Sequence, residues 1–257
     1  MNTSFQNIYG LPSDLDDWNF STDGSKLTSQ HSGFKQVYIP YQDNGGLSIA
    51  ISGKDYVVLS GSTRQVKDYS IHSRYQPRVF NIGDGLVVST CGFSGDSNEV
   101  IRVLRKRLMQ YHYKHNRQLT VRSAARLIQT ILYSRRFFPY YTYVMVVGMD
   151  EEGKGAIYTF DPVGSYERVS YQATGSSASL ALPLLDSQVG GKNKYEIVDG
   201  RLQPCISTPL SLENAMKMII DTYTSVVERH IQIGDKFQAF IVTANGIHIQ
   251  EYPLKQD

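Results

Sequence analysis

Residues 44–64, NGGLSIAISGKDYVVLSGSTR, decide how this chain folds. Two apolar runs, Leu47 to Ile51 and Tyr56 to Leu59, flank Ser52-Gly53-Lys54-Asp55, the pattern of a β-hairpin closed by a glycine-bearing turn. Gly45 and Gly46 stand just before the first run, where the backbone can turn sharply or pass close to another segment. A strand that starts directly after such a joint presents its first residue to a neighbour or a cleft. Here the residue at that joint, Gly46, has no side chain.

Upstream, residues 1–44 lack sustained periodicity and are rich in Ser, Asp, Asn, Gln and Gly. They read as an N-terminal extension, a propeptide open to partial trimming, with Val37 to Pro40 a short extended piece. Downstream, Gln65 to Pro77 is polar and turn-like, and Arg78 to Asn81 and Leu86 to Cys91 read as strands around Gly83-Asp84-Gly85. The period then changes. Asp96 or Ser97 is placed to cap a helix with apolar positions Val100, Ile101, Leu104, Leu108 and Tyr111, and Thr120 to cap a second through Ala124, Leu127, Ile128, Ile131 and Leu132. Tyr141 to Met149 and Lys154 to Phe160 form the next hairpin, reversed at Asp150 to Gly153 and closed by Asp161-Pro162-Val163-Gly164. Small residues, Ala173 to Ser179, open a short helix through Leu180 to Leu185, where small side chains permit close backbone approach and exposed amides also suit an oxyanion. Gly190 to Pro209 reads as irregular. Thr208 or Ser211 caps a helix with the stripe Leu212, Ala215, Met216, Ile219, Tyr223, Val226 and Val227. Phe237 to Thr243 and Ile247 to Glu251 close the chain as a hairpin over Ala244-Asn245-Gly246. Hairpins and helix pairs in this order predict an α+β fold, a four-layer αββα sandwich in one domain spanning 45–257.

Composition removes several functions. A formal charge of +2 over 257 residues argues against nucleic acid, and the cluster Arg102, Arg105, Lys106 and Arg107 reads as a solvated helix face or a subunit contact. The 18 tyrosines offer area for contact surfaces. Cys91 and Cys205 make neither a disulfide scaffold nor a CxxC, and Cys91 reads as a buried thiol. The six histidines make no HExxH; His112 and His115 have helical spacing but no evident carboxylate partner. No metal and no cofactor are expected. With no apolar run of membrane-spanning length and no leader, neither a membrane nor secretion is expected, and cytoplasm and nucleus are the default location. No GxSxG elbow, phosphate loop or dinucleotide fingerprint occurs.

The stretch SRRFFPYYTYVMVVGMDEEGKGAIYTFDPVGSYERVSYQATGSSASLALPLLDSQVG, residues 134–190, closely resembles the β6-type subunits of the eukaryotic 20S proteasome, and a general proteasome β pattern runs from about Gly45 to the last hairpin. The resemblance implies the αββα architecture of the Ntn-hydrolases. Active members of that family attack a peptide carbonyl with an N-terminal threonine at the head of the first strand, tuned by a lysine and a carboxylate. On this sequence the threonine position falls on Gly46, the aspartate on Ser62 and the lysine on Arg78. Arg64 keeps an arginine, Arg229-His230 stands for an Arg-Asp pair, and Ile233 replaces a supporting serine. Glycine has no hydroxyl, so a noncatalytic subunit is implied. The hydroxyls of Ser48 and Thr63 are nearby, and a self-contained hydrolase with a relocated nucleophile is the alternative. The resemblance also implies a place in a β ring between β5-type and β7-type neighbours. That ring stacks on an α ring and a second β ring, and regulatory particles act indirectly. Asp161, Pro162, Val163 and Gly164 are the candidates for lining the β5-type neighbour's substrate channel.

Overall fold

The structure, a computed structural model, describes residues 40–192, 194–198, 201–204 and 210–256. The chain opens with β1 (Ser48–Ser52) and β2 (Tyr56–Ser62), then β3 (Gln65–Lys67), β4 (Ser70–Ser73), β5 (Val79–Gly83) and β6 (Leu86–Gly92). Helices α1 (Ser94–His115) and α2 (Val121–Tyr133) follow. Next come β7 (Thr142–Met149), β8 (Gly155–Phe160), β9 (Tyr166–Val169), β10 (Tyr171–Thr174) and α3 (Ala178–Gln188). The chain closes with β11 (Tyr195–Val198), β12 (Arg201–Pro204), α4 (Leu212–Val227), β13 (Lys236–Thr243) and β14 (Gly246–Pro253).

Two five-stranded antiparallel sheets result, ordered β10-β1-β2-β13-β14 and β5-β6-β7-β8-β9. The alternation of side chains along each strand sorts them into three apolar layers. In β2, Val57 and Leu59 point between the sheets, where they meet Val87, Met145, Ile157 and Phe240. Tyr56 and Val58, on the other face, join the layer under α3 and α4 with Ile219, Tyr223 and Phe237. Val88, Val146, Tyr158 and Phe160 pack under α1 and α2 against Leu104, Ile128 and Leu132. The expected αββα sandwich is therefore present: two helices, two stacked sheets, two helices. With both faces covered, β2 is buried along its whole length, which is why it reads as an unbroken apolar run.

Several local expectations need correction. Residues 65–73 are not merely turn-like: β3 and β4 pair there. Within 190–209, β11 and β12 make a second small hairpin where an irregular path was expected. The small-residue stretch begins as strand, Ala173 and Thr174 belonging to β10, so α3 starts only at Ala178. Neither Asp96 nor Ser97 caps α1. Its N-cap is Phe93, Asp96 accepts from the Tyr141 amide, and Ser97 Oγ pairs with Thr142 Oγ1. Thr120 and Ser211 do cap α2 and α4, through the Ser123 and Asn214 amides. Residues 1–39, Cys205 and Thr208 lie outside the described residues. Among those described, no helix is long and apolar enough to cross a membrane.

Candidate functional site

The hairpin that opens the fold also builds the site. Pairing of β1 with β2 places Ser48 opposite Gly61, so the residues just before β1 emerge beside the end of β2. Leu47 is fixed on both sides of its peptide: its amide donates to Ser62 Oγ at 3.1 Å, and its carbonyl accepts from Tyr223 Oη at 3.0 Å. Gly46 is thereby held at φ +104°, a conformation L side chains rarely adopt. The space a side chain would need is taken. A Cβ built on Gly46 lies 2.8 Å from Arg78 Nη2 and closer still to Cζ and Nε.

Arg78 is 7% exposed and carries its charge into that space. Nη2 donates to the carbonyls of Asn44 and Arg64, both at 2.8 Å, and Nε has no hydrogen-bond partner. Burial pulls the guanidinium down from its ordinary value, opposed by Cys91, Asp43 and Tyr223. A planar guanidinium fixed on two backbone carbonyls serves as a clamp and makes a poor proton shuttle.

The chain entering the site is sewn down. Asn44 donates from its amide to Gly92 O and from Nδ2 to Val66 O, while its Oδ1 accepts from the Ser94 amide. On the other side, Gly175 at φ +109° packs against the Gly46 carbonyl, where a Cβ would collide, and Ser176 Oγ reaches that carbonyl at 3.4 Å. The small-residue stretch thus serves close approach.

Ser62 is fully buried and neutral, its hydroxyl spent on Leu47. His230 is half-buried with Nδ1 unpartnered, and burial lowers its pKa from 6.5, Asp43 opposing. Ile233 is a core residue under α4. Ser48 Oγ lies 3.2 Å from Cys91 Sγ, and Thr63 Oγ1 donates to the carbonyls of Arg74 and Lys236, so neither hydroxyl has a base beside it in these contacts. Cys91 is a buried free thiol, as expected.

Asp161 to Gly164 form a tight turn between β8 and β9. Asp161 Oδ1 accepts from the amides of Val163 and Ser165, Val163 is exposed, and Gly164 is packed on the end of α2. Asp161 also lines a cleft of about 870 Å³ together with Gly92, Gly175, Tyr141 and Tyr143.

Two partnerships were missed in the sequence. Arg64, 1% exposed, pairs through Nε with Asp235 Oδ2 at 2.7 Å, and Arg74 joins the same carboxylate. Burial pushes the Asp235 carboxyl up, but hydrogen bonds and charge from both arginines outweigh it and hold the pKa below 3.8. A buried arginine demands a counter-charge, which was the available signal. His112 does have a carboxylate partner, Asp84, at 2.7 Å across from the β5–β6 turn. No group able to hold a metal exists among the described residues.

A sandwich of this type, with a glycine overlaid by a guanidinium just ahead of its first strand, fits a noncatalytic member of the Ntn-hydrolase class. A family described as Proteasome subunit matches residues 42–200. Proteasome subunit beta type-6 of Saccharomyces cerevisiae is 45% identical over 240 residues, 93% of this chain and 97% of that protein. The probable proteasome subunit beta type-6 of Schizosaccharomyces pombe is 44% identical over 218 residues, 85% and 97% of the two chains. Proteasome subunit beta type-1 of Arabidopsis thaliana is 38% identical over 231 residues, 90% and 100% of the two. The chain belongs to the proteasome β-subunit family, in its noncatalytic β6-type branch. Membership implies assembly with other β-type subunits in a β ring.

Proposed function

We propose that this chain completes the β ring of the 20S core particle as a noncatalytic wall, seated between β5-type and β7-type neighbours. It stacks on an α ring, faces a second β ring, and serves ATP- and ubiquitin-dependent protein degradation in cytoplasm and nucleus. Regulatory particles act on it through the rest of the core. The observation that carries this reading is Gly46: the residue at the head of β1 offers no nucleophile, and Arg78 fills the space one would use. A threonine-directed activity probe applied to assembled particles labels neighbouring chains and leaves this one at its native mass. A covalent acyl adduct on this chain overturns the reading.

The turn 161–164 is the part that serves the β5-type neighbour, lining its substrate channel. Because Asp161 also holds its own turn, two substitutions separate the roles. Asp161→Asn keeps an acceptor for the turn and removes the charge; Asp161→Ala removes both. Both change the neighbour's preference between acidic and basic peptides if the carboxylate faces the channel. A change with Ala alone assigns Asp161 to the turn only.

A further inference from the structure

At one end of the sandwich the apolar layer between the sheets gives way to polar groups. In β7 and β8, Met145 and Ile157 point into that layer, so the alternation along each strand aims Tyr143 and Thr159 the same way. Val169 packs on the same layer and sets the direction of Glu167 in β9. In β10, Ala173 belongs to the layer under α3 and α4, which turns Gln172 and Thr174 toward the opening. Side chains from both sheets thus line the cleft of about 870 Å³ that Asp161 also borders.

Three independent features of this cleft point to an occupant. Its lining carries the carboxylates of Asp43, Asp161 and Glu167 and, among the described residues, no Lys or Arg. Asp43 and Asp161 accept from nearby backbone amides, whereas Glu167 is exposed and makes no side-chain hydrogen bond or ion pair among the described residues. Thr174 is only 8% exposed, yet its Oγ1 has no partner. A buried hydroxyl left unpaired is destabilising, and this one faces the cleft. The walls are also unpaired strand edges, since β10 ends one sheet and β9 the other. The Ser52 amide donates to Ser170 O at 2.9 Å, so antiparallel alternation turns the peptide groups of Gln172 and Thr174 toward β1 and those of Tyr171 and Ala173 outward. The outward Ala173 amide donates to the side-chain oxygen of its own neighbour, Gln172, at 3.2 Å, a bond that an added strand can replace.

We propose that this cleft holds, without cutting it, an extended peptide segment that carries a lysine or arginine. The segment pairs along the free edge of β10 through main-chain hydrogen bonds, and its cationic side chain meets Glu167. Tyr143, 43% exposed, supplies aromatic surface for the cation. The segment stays uncut because Gly46 has no hydroxyl. Residues 1–39 of this chain suit the cleft poorly, with four aspartates against two lysines. The inference rests on the reading that this chain walls a chamber in which peptides are present.

The test uses intact particles whose active neighbours have been blocked by a threonine-directed inhibitor. The probe is an end-blocked peptide with a central arginine and a photoreactive group, and its cleavage before blocking shows that it enters the chamber. Photolysis attaches it to this chain within residues 141–143 or 166–176, and an analogue with glutamate in place of arginine attaches about tenfold less. Glu167→Gln, at an exposed position, lowers labelling by the arginine probe about tenfold, and N-methylation of the probe's alternate amides abolishes it. The site of attachment separates this cleft from the neighbour's channel, whose peptide preference Asp161→Asn reads. Equal labelling by the arginine and glutamate probes overturns the proposal, as does attachment to neighbouring chains alone or a crosslink that places residues 1–39 in the cleft. Should the Glu167→Gln chain misfold, salt decides on the native chain: labelling falls between about 50 mM and about 500 mM, and constant labelling overturns the proposal. An acyl adduct on this chain refutes the noncatalytic reading itself, whereas an unlabelled cleft in particles that cut the probe refutes only the peptide site.

Discussion

Restoring threonine at residue 46 is the most informative perturbation, because the structure predicts that it fails for a reason other than missing chemistry. Gly46→Thr places a β-branched residue at φ +104°, which costs about 1–3 kcal/mol. It also drives a Cβ into the Arg78 guanidinium, 2.8 Å from Nη2, and overpacking of a filled site costs about another 1–3 kcal/mol. Removing a glycine from the unfolded chain returns about 0.4–1 kcal/mol. The net is a destabilisation of about 1–5.6 kcal/mol, at its upper end a large part of a domain's stability. Arg78→Lys by itself costs about 1–3 kcal/mol, since a lysine must replace the donors to the Asn44 and Arg64 carbonyls. Together the two changes cost less than their sum by about 1–3 kcal/mol, because the thinner lysine vacates the space that the threonine needs. Urea unfolding followed by circular dichroism, with unchanged slope, measures each corner of this cycle. Additivity within about 0.5 kcal/mol refutes the argument that the guanidinium occupies the nucleophile's place. So does labelling of the Gly46→Thr single variant by a threonine probe.

Three further outcomes follow from the charges and caps. Asp235→Asn removes the carboxylate from buried Arg64 and costs about 3–5 kcal/mol, read as a shift in urea midpoint; with the Asp235 pKa held below its ordinary value, the native pair's contribution is full above about pH 4 and is lost as pH falls through the lowered value. His230 has a lowered pKa, so below 6.5 the unfolded chain binds the extra proton and stability falls with pH; His230→Gln flattens the difference between midpoints at about pH 7.5 and about 5.5. Thr120→Ala leaves the Ser123 amide without its cap and costs about 1 kcal/mol of α2, seen as faster amide exchange in its first turn.

What the sequence disclosed tracks how strongly each element is constrained. Covered on both faces, β2 and β7 had to be apolar along most of their length and were legible. β13 and β14 announced themselves through Asn245-Gly246, and α4 through a buried stripe. β9 and β10 hid because they are edge strands of four residues each, mostly part-exposed, so YERV and YQAT carry no clean alternation. α1 begins three or four residues earlier than its polar residues implied, because Asp96 is spent tying down the Tyr141 amide and Ser97 is paired with Thr142 instead of capping. The site was legible only in part. Gly46, Ser62 and Arg78 were placed by resemblance, while the contact of Arg78 with Gly46 and the ion pair of Arg64 with Asp235 join residues far apart in the chain.

Gly46, Ser62 and Arg78, the residues at the positions the resemblance implies for the catalytic groups, depend on one another physically, so that a single change toward those groups is expected to fail. With glycine at residue 46 a void opens at the head of β1, and the Arg78 guanidinium fills it and reaches two carbonyls. Having filled it, Arg78 forbids any side chain at residue 46, so the glycine is now required by packing as well as by its φ. Ser62, with its hydroxyl on the Leu47 amide, holds β1 in place and offers no carboxylate to draw Arg78 away. Each single reversion therefore meets a filled space or lacks a buried partner. Only a concerted change to the residues that the resemblance implies, threonine at 46, lysine at 78 and aspartate at 62, is expected to give an attacking oxygen room, a proton path and a counter-charge together. A graded recovery of probe labelling through the single reversions would show that these positions act independently and would remove the basis for this interlock.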